Sequence, residues 1–165
     1  MSTNRSSETR APRPARIISG GQTGVDRAAL DAAIALGIPH GGWCPRGRLA
    51  EDGAVPSRYE LTETDSAQYQ VRTEWNVLDS DATLVVCRGP LSGGTELTVR
   101  LAEAHGKPCL VVDLDDPPAL DVVRQWIVEV GAETLNVAGP RESQSPAIGS
   151  AAATFLKRVF SLGRA

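Results

Sequence analysis

Short runs of β-branched and other apolar residues alternate along this chain with Ala- and Leu-rich stretches of helical periodicity, and glycines or prolines punctuate nearly every change. That alternation is the signature of βαβ units, whose strands lie side by side in a parallel sheet. The expected order opens with a strand over 17–19, a glycine turn over 20–24 and a helix over 26–36 ended by Gly37 and Pro39. A short strand near 42–44 then leads into a polar loop through Glu63, and Ser66 is placed to cap a helix running to Leu78. A strand over 83–87, a helix over 95–105 with Leu97, Leu101 and Ala104 on its buried face, a strand over 109–114 and a helix over 119–130 follow. The last unit is a strand over 134–137 and a closing helix to about residue 162. Five strands and five helices make a doubly wound α/β sheet the natural fold. Ligands of such sheets bind beyond the carboxyl ends of the strands.

The chain's 165 residues fit one domain, expected over 16–165, preceded by a flexible tail over 1–15. At 41% hydrophobic and 22% charged, the composition excludes a wholly disordered or collagen-like chain. No apolar run approaches the roughly 20 residues that span a bilayer, and the segment MSTNRSSETRAPRPAR lacks the apolar core of a signal peptide, so a cytoplasmic protein without membrane contact is expected. A net charge of −3 argues against a nucleic-acid-coating protein. It leaves room for a small anionic ligand held locally. Of the 17 basic residues all but Lys107 and Lys157 are arginine, the side chain suited to bidentate contact with phosphate, although GC-rich coding accounts for the same bias.

Three cysteines are too few for a disulfide framework. Cys87 and Cys109 lie in strand-like runs and read as packing residues; Cys44 sits in the loop WCPRG beside Arg46 and Arg48, which would stabilise a thiolate, although a lone cysteine without a partnered histidine is more often structural. The two histidines suggest no metal site.

Two glycine-rich segments carry the chemical signal. Gly20-Gly21-Gln22-Thr23-Gly24, followed by Val25 and Asp26, joins a strand to a helix whose N-terminal amides and dipole suit an anion. It matches neither the dinucleotide fingerprint nor the P-loop, and a plain strand-to-helix turn is the alternative. The second, Ser92-Gly93-Gly94-Thr95-Glu96, occupies the same kind of position, with Ser92 or Thr95 available to cap the helix. Two such loops at one end of a sheet line one crevice. Arg141 and Ser143, in the loop after the last strand, reach the same end.

The blocks GGQTGVDRAALDAA, WCPRGRLAEDG, RTEWNVLDSDATLVV, GPLSGGTELT and NVAGPRES together resemble the molybdenum-cofactor carrier proteins, a branch of the Rossmann-like superfamily that includes the lysine-decarboxylase-like phosphoribohydrolases. The resemblance spans about residues 16–160. It implies a Rossmann-like fold, self-association into a dimer or tetramer, binding of the molybdenum cofactor or another nucleotide-like molecule, and molybdoenzymes as acceptors. The implied ligand shell is Gly20, Gly21, Gln22, Thr23 and Gly24 with Ser92, Gly93, Gly94, Thr95 and Glu96, joined by Arg46, Arg72, Asn76 and Arg141. Arg72 and Asn76, four apart, share a helix face, and a surface ion pair of Arg72 with Glu74 or Asp79 is the plainer reading. Cys44 would be the one direct sulfur contact to a metal-bearing ligand. The related hydrolases place a catalytic Glu three residues after the threonine of the second loop, where this chain has Thr98. A nucleoside 5′-monophosphate phosphoribohydrolase would therefore depend on Glu96 or Asp26, and a nucleotide-derived-ligand sensor is the remaining alternative.

Overall fold

The computed structural model describes residues 13–161, so most of the expected tail, residues 1–12, lies outside the described residues. Fourteen elements follow in order: β1 (Arg16–Ile18), α1 (Val25–Leu36), β2 (His40–Gly41), β3 (Trp43–Cys44), β4 (Leu49–Ala50), β5 (Gly53–Ala54) and β6 (Thr62–Glu63), then α2 (Tyr69–Leu78), β7 (Ala82–Cys87), α3 (Gly93–Ala104), β8 (Cys109–Asp113), α4 (Leu120–Glu129), β9 (Thr134–Ala138) and α5 (Ile148–Phe160). The central sheet is entirely parallel, in the order β2-β1-β9-β7-β8, as the alternation of strands and helices predicts.

The burial of β7 and β9 explains that arrangement. All six residues of β7, Ala-Thr-Leu-Val-Val-Cys, are buried, which only a strand covered on both faces allows. In register, Leu84 of β7 sits beside Val137 of β9 on one side and Leu110 of β8 on the other. The last strand of the chain is thus the middle strand of the sheet. When β9 is numbered first and β1, β2, β7 and β8 follow, the order becomes 3-2-1-4-5, that of the doubly wound α/β fold. The direction of winding reverses at β9. The fold is Rossmann-like.

Helices α1 and α5 pack against each other and, with α4, bury the larger core. Ala28, Ala29, Ala32 and Ala33 give α1 a flat face on which α5 approaches with Ala152, Leu156 and Val159. A smaller core of Leu30, Cys44, Ala50, Val55 and Tyr59, with Leu61 packed against it, anchors the segment between β2 and α2. The sequence reading made most of that segment a polar loop. In fact β3 pairs with β6 in parallel and β4 with β5 as a hairpin, stretches of two residues too short to show periodicity.

Three other local expectations are corrected. Helix α2 starts at Tyr69 with Gln68 as N-cap, because Ser66 Oγ accepts the Gln68 amide at 3.1 Å in a turn ahead of the helix. Helix α3 starts at Gly93, two residues earlier than expected, with Ser92 as N-cap but without a capping bond from its side chain. Its buried stripe is Thr95, Thr98 and Ala102, not Leu97, Leu101 and Ala104, since polar and small side chains meet the sheet here and Leu97 turns to the crevice described next. Among the described residues no helix is long and apolar enough to cross a membrane.

Candidate functional site

Beyond the carboxyl ends of β1, β9 and β7 a crevice of about 400 Å3 opens at the point where the winding reverses. Its size falls within the range of about 300–1,000 Å3 usual for small-molecule sites. Gly20, Gln22 and Asp26 come from the β1–α1 connection, Gly93, Gly94 and Thr95 from the start of α3, and Arg72 and Asn76 from α2. Gly139 and Arg141 follow β9. Eight of the residues expected in the ligand shell are therefore together, and Asp26 joins them.

The two glycine loops differ in what they offer. In the β1–α1 loop the Gln22 amide donates to Asp26 Oδ2 at 3.1 Å, the Thr23 amide to Gln22 Oε1 at 3.1 Å, and the Val25 amide to the Pro140 carbonyl at 3.3 Å. Gly24 has φ +81°, and a Cβ there would collide with the Pro140 carbonyl oxygen. This loop is a tight turn locked to the β9–α5 connection, and its Gln22, Thr23 and Val25 amides are already in use. At α3 the Glu96 amide closes the first turn on the Ser92 carbonyl at 3.2 Å, leaving the Gly93, Gly94 and Thr95 amides ahead of the helical ladder. An added Cβ at Gly94 would meet nothing within 4 Å. Positive dipole and free donors thus coincide at α3, where an anion is best placed.

Arginines supply the other positive charge. Arg72 is buried, with Nη1 donating to the Gly20 carbonyl at 2.7 Å and Nε to Thr73 Oγ1 at 3.3 Å. The ion pair with Glu74 or Asp79 is absent from these bonds, because Trp43 Nε1 engages Asp79 instead and Glu74 lies near His105. The Arg141 guanidinium lies 5.8 Å from the centre of the Tyr69 ring and that of Arg72 5.1 Å from it. Tyr69 lines the crevice as well, giving it a flat aromatic surface flanked by two cations. Asn76 holds Trp43 in both directions, accepting its amide at 2.8 Å and donating to its carbonyl at 3.0 Å, so its amide group positions the wall.

Asp26 is the one carboxylate among the lining residues. Burial raises its pKa above the usual aspartate range, against the pull of Arg72 and of its bond from Gln22.

The topology also finds its counterpart outside this chain. A family model described as "Circularly permutated YpsA SLOG family" matches residues 17–160. The chain belongs to this circularly permuted SLOG family. A crystal structure of a Syntrophus aciditrophicus SB protein, described as "Putative molybdenum carrier protein", is similar at 50% identity with a TM-score of 0.87, covering 90% of this chain and 96% of that one. No curated protein matches the chain. The permutation named by the SLOG family is visible in the sheet: β9, first in the doubly wound order, comes last in the sequence.

Several residues expected in the ligand shell of this SLOG fold lie elsewhere. Gly21, Thr23, Gly24, Arg46, Ser92 and Glu96 do not line the crevice. Arg46 is exposed and donates to the Asp65 carbonyl, and Glu96 turns outward to pair with Arg100 one turn along α3. Thr23 hydroxyl bonds Glu51, whose carboxylate also takes the Ser143 amide and hydroxyl, so the β4–β5 hairpin fastens both loops at the rim. Those hydroxyls hold the Glu51 pKa below its usual value. Cys44 is fully buried and its thiol pKa is raised by that burial, which fits the structural reading of this cysteine and not the stabilised thiolate. Sequence reasoning missed Tyr69, Gln70, Thr73, Asn136 and Gln144 as lining residues. The aromatic side chain of Tyr69, three residues before Arg72 and so on the same helix face, was the available signal; the others carry none in a single sequence.

Proposed function

We propose that the crevice binds a phosphate-bearing heterocycle, the molybdenum cofactor being the specific candidate, and that the protein holds or delivers this pterin phosphate. The observation that carries the reading is the open N-terminus of α3 sharing a crevice with Arg141 and Tyr69, while the Gln22, Thr23 and Val25 amides of the other glycine loop are used internally. Phosphate is assigned to the Gly93, Gly94 and Thr95 amides with Arg141 as counter-charge, and the planar ring to the Tyr69 side. The description of the Syntrophus relative, half of whose residues are identical, supports the choice of ligand. Among the described residues no three His, Cys, Asp or Glu side chains come together to hold a metal, and Cys44 is buried in the smaller core. Recognition in this proposal therefore runs through the pterin and its phosphate. Self-association and transfer to a molybdoenzyme belong to the same proposal.

The test is anaerobic purification from a host that makes the molybdenum cofactor, then denaturation and mass spectrometry of the released small molecule. Near-stoichiometric molybdopterin from the wild type and its loss from Gly94→Asp is the expected result. Recovery of none from either overturns the cofactor assignment.

One observation keeps a hydrolase as the second reading: Asp26, a buried carboxyl of raised pKa, lies in the crevice. Since Glu96 points away, nucleotide cleavage would rest on Asp26 alone. Release of free base from nucleoside 5′-monophosphates, abolished by Asp26→Asn, would favour it over a carrier.

A further inference from the structure

A crevice that accepts only an anion has no use for a carboxylate in its lining. Asp26 is nevertheless there, 7% exposed, at the start of α1. Its Oδ2 accepts the Gln22 amide, and Ser19 and Arg72 are further polar neighbours, which together fill part of the roughly four acceptor positions a carboxylate offers. Closing the Gln22 turn needs one acceptor atom, and Arg72 balances the charge only in part, since burial still raises the pKa. Keeping an ionisable group in a desolvated place costs stability, which is common where a ligand later supplies the partners.

The sheet separates this carboxylate from the anion end. Asp26 follows β1 and the open amides of α3 follow β7, with β9 between them, so their strands stand two spacings or roughly 10 Å apart. The two ends of the crevice therefore differ: the open amides of α3 lie at the β7 end, with Arg141 on the connection after β9, and at the β1 end the Asp26 carboxylate offers an acceptor beside the Arg72 guanidinium. A ligand filling both ends carries an anionic group on one side and a pair of N–H donors on the other.

We infer that Asp26 is the ring-recognition residue of this crevice, its carboxylate accepting the ring N–H and exocyclic amine of a 2-amino-4-oxopyrimidine whose attached phosphate lies at the N-terminus of α3. This assignment rests on the phosphate-binding reading above. The ring edge is shared by pterins and guanine, and its two parallel N–H bonds match a carboxylate as a guanidinium does. Hypoxanthine keeps one of the two donors. Adenine turns an acceptor lone pair toward the carboxylate, and a site built for a donor rejects such an analogue strongly.

The experiment is calorimetric titration of the full chain at pH 7.5 with GMP, IMP, AMP and neopterin monophosphate, followed by the same series with Asp26→Asn. GMP or neopterin monophosphate is expected to bind at least about tenfold tighter than IMP, with AMP weakest, and the variant should bring GMP and IMP within about twofold. The tighter of GMP and neopterin monophosphate identifies the natural source of the ring, and either order upholds the role of Asp26. The wild-type ratios need no variant, so misfolding of Asp26→Asn cannot mask the result. IMP binding as tightly as GMP overturns the assignment while leaving the phosphate site, tested by Gly94→Asp, standing. No saturable binding of any of the four overturns both.

Discussion

The guanidinium of Arg72 donates to the Gly20 carbonyl at 2.7 Å, joining α2 to the end of β1 across 52 positions of sequence. The same cation is the strongest favourable influence on the Asp26 carboxylate. Removing it leaves a buried carbonyl and a buried carboxylate short of a partner. Arg72→Met should therefore destabilise the protein by about 2–4 kcal/mol in urea unfolding. Combining it with Asp26→Asn should restore about 1 kcal/mol relative to the sum of the two single changes. Strict additivity would mean that the two side chains do not interact.

Asp26 makes stability depend on pH in a stated direction. Its folded-state pKa is raised, chiefly by desolvation, so the native protein holds a proton that the unfolded chain releases near pH 3.8. The favourable contribution is present below that value and is lost as pH rises through the folded-state pKa. Asp26→Asn removes the ionisation, so the variant should melt higher than the wild type at pH 7–8, with the gap closing near pH 4. A variant less stable than wild type at pH 8 would contradict this.

Gly94→Asp gives a separable readout of binding and folding. Gly94 has open space around its missing side chain and lies in the first turn of α3, where a carboxylate complements the helix dipole. Stability should stay equal or rise by up to about 1 kcal/mol, while affinity for inorganic phosphate falls at least about tenfold. Gly21→Asp is a poorer probe because φ there is +80° and Leu61 crowds the position.

The cysteines should be slow to react. Cys44 and Cys87 are buried with raised pKa values, and burial pushes the Cys109 thiol up to about 11, leaving about a thousandth of it as thiolate at pH 8. Thiol-reagent titration should give little labelling until denaturant is added, then three equivalents per chain. Rapid labelling of Cys44 in the native state would contradict its burial and favour the stabilised thiolate.

The permutation has its own test. Arg13 Nε donates to the Phe160 carbonyl at 3.2 Å, so the segment entering β1 lies beside the end of α5. A chain in which Ser161 is linked to Arg13 through about five Gly/Ser residues, and opened between the exposed Asp116 and Pro117, regains the 3-2-1-4-5 order. Cooperative unfolding and phosphate affinity within about twofold of the parent are expected. A chain that fails to fold would show that the natural order of elements is required.

How much of this was legible in the sequence follows from how local each signal is. The buried run of β7 and the alanine face of α1 are local, and their elements fall within a residue of expectation. The rank of strands in the sheet is not local, because β9 looks like any short apolar strand and only its neighbours put it at the centre. Both glycine loops reach the crevice, but the first has its Gln22 and Thr23 amides taken by nearby side chains and its Val25 amide by Pro140, more than a hundred residues away. Glu96 and Arg46 were misplaced for a similar reason: a charged side chain near a glycine loop points where its own element turns it, outward in both cases.

The central claim is that an anion sits on the N-terminus of α3. Backbone amide NMR of the 15N-labelled full chain, titrated with neopterin monophosphate, reads it directly. The account predicts saturable shifts concentrated on the Gly93, Gly94 and Thr95 amides, with smaller ones around Arg141 and Tyr69. Shifts centred on the Gln22, Thr23 and Gly24 amides, or none at any concentration, would contradict it.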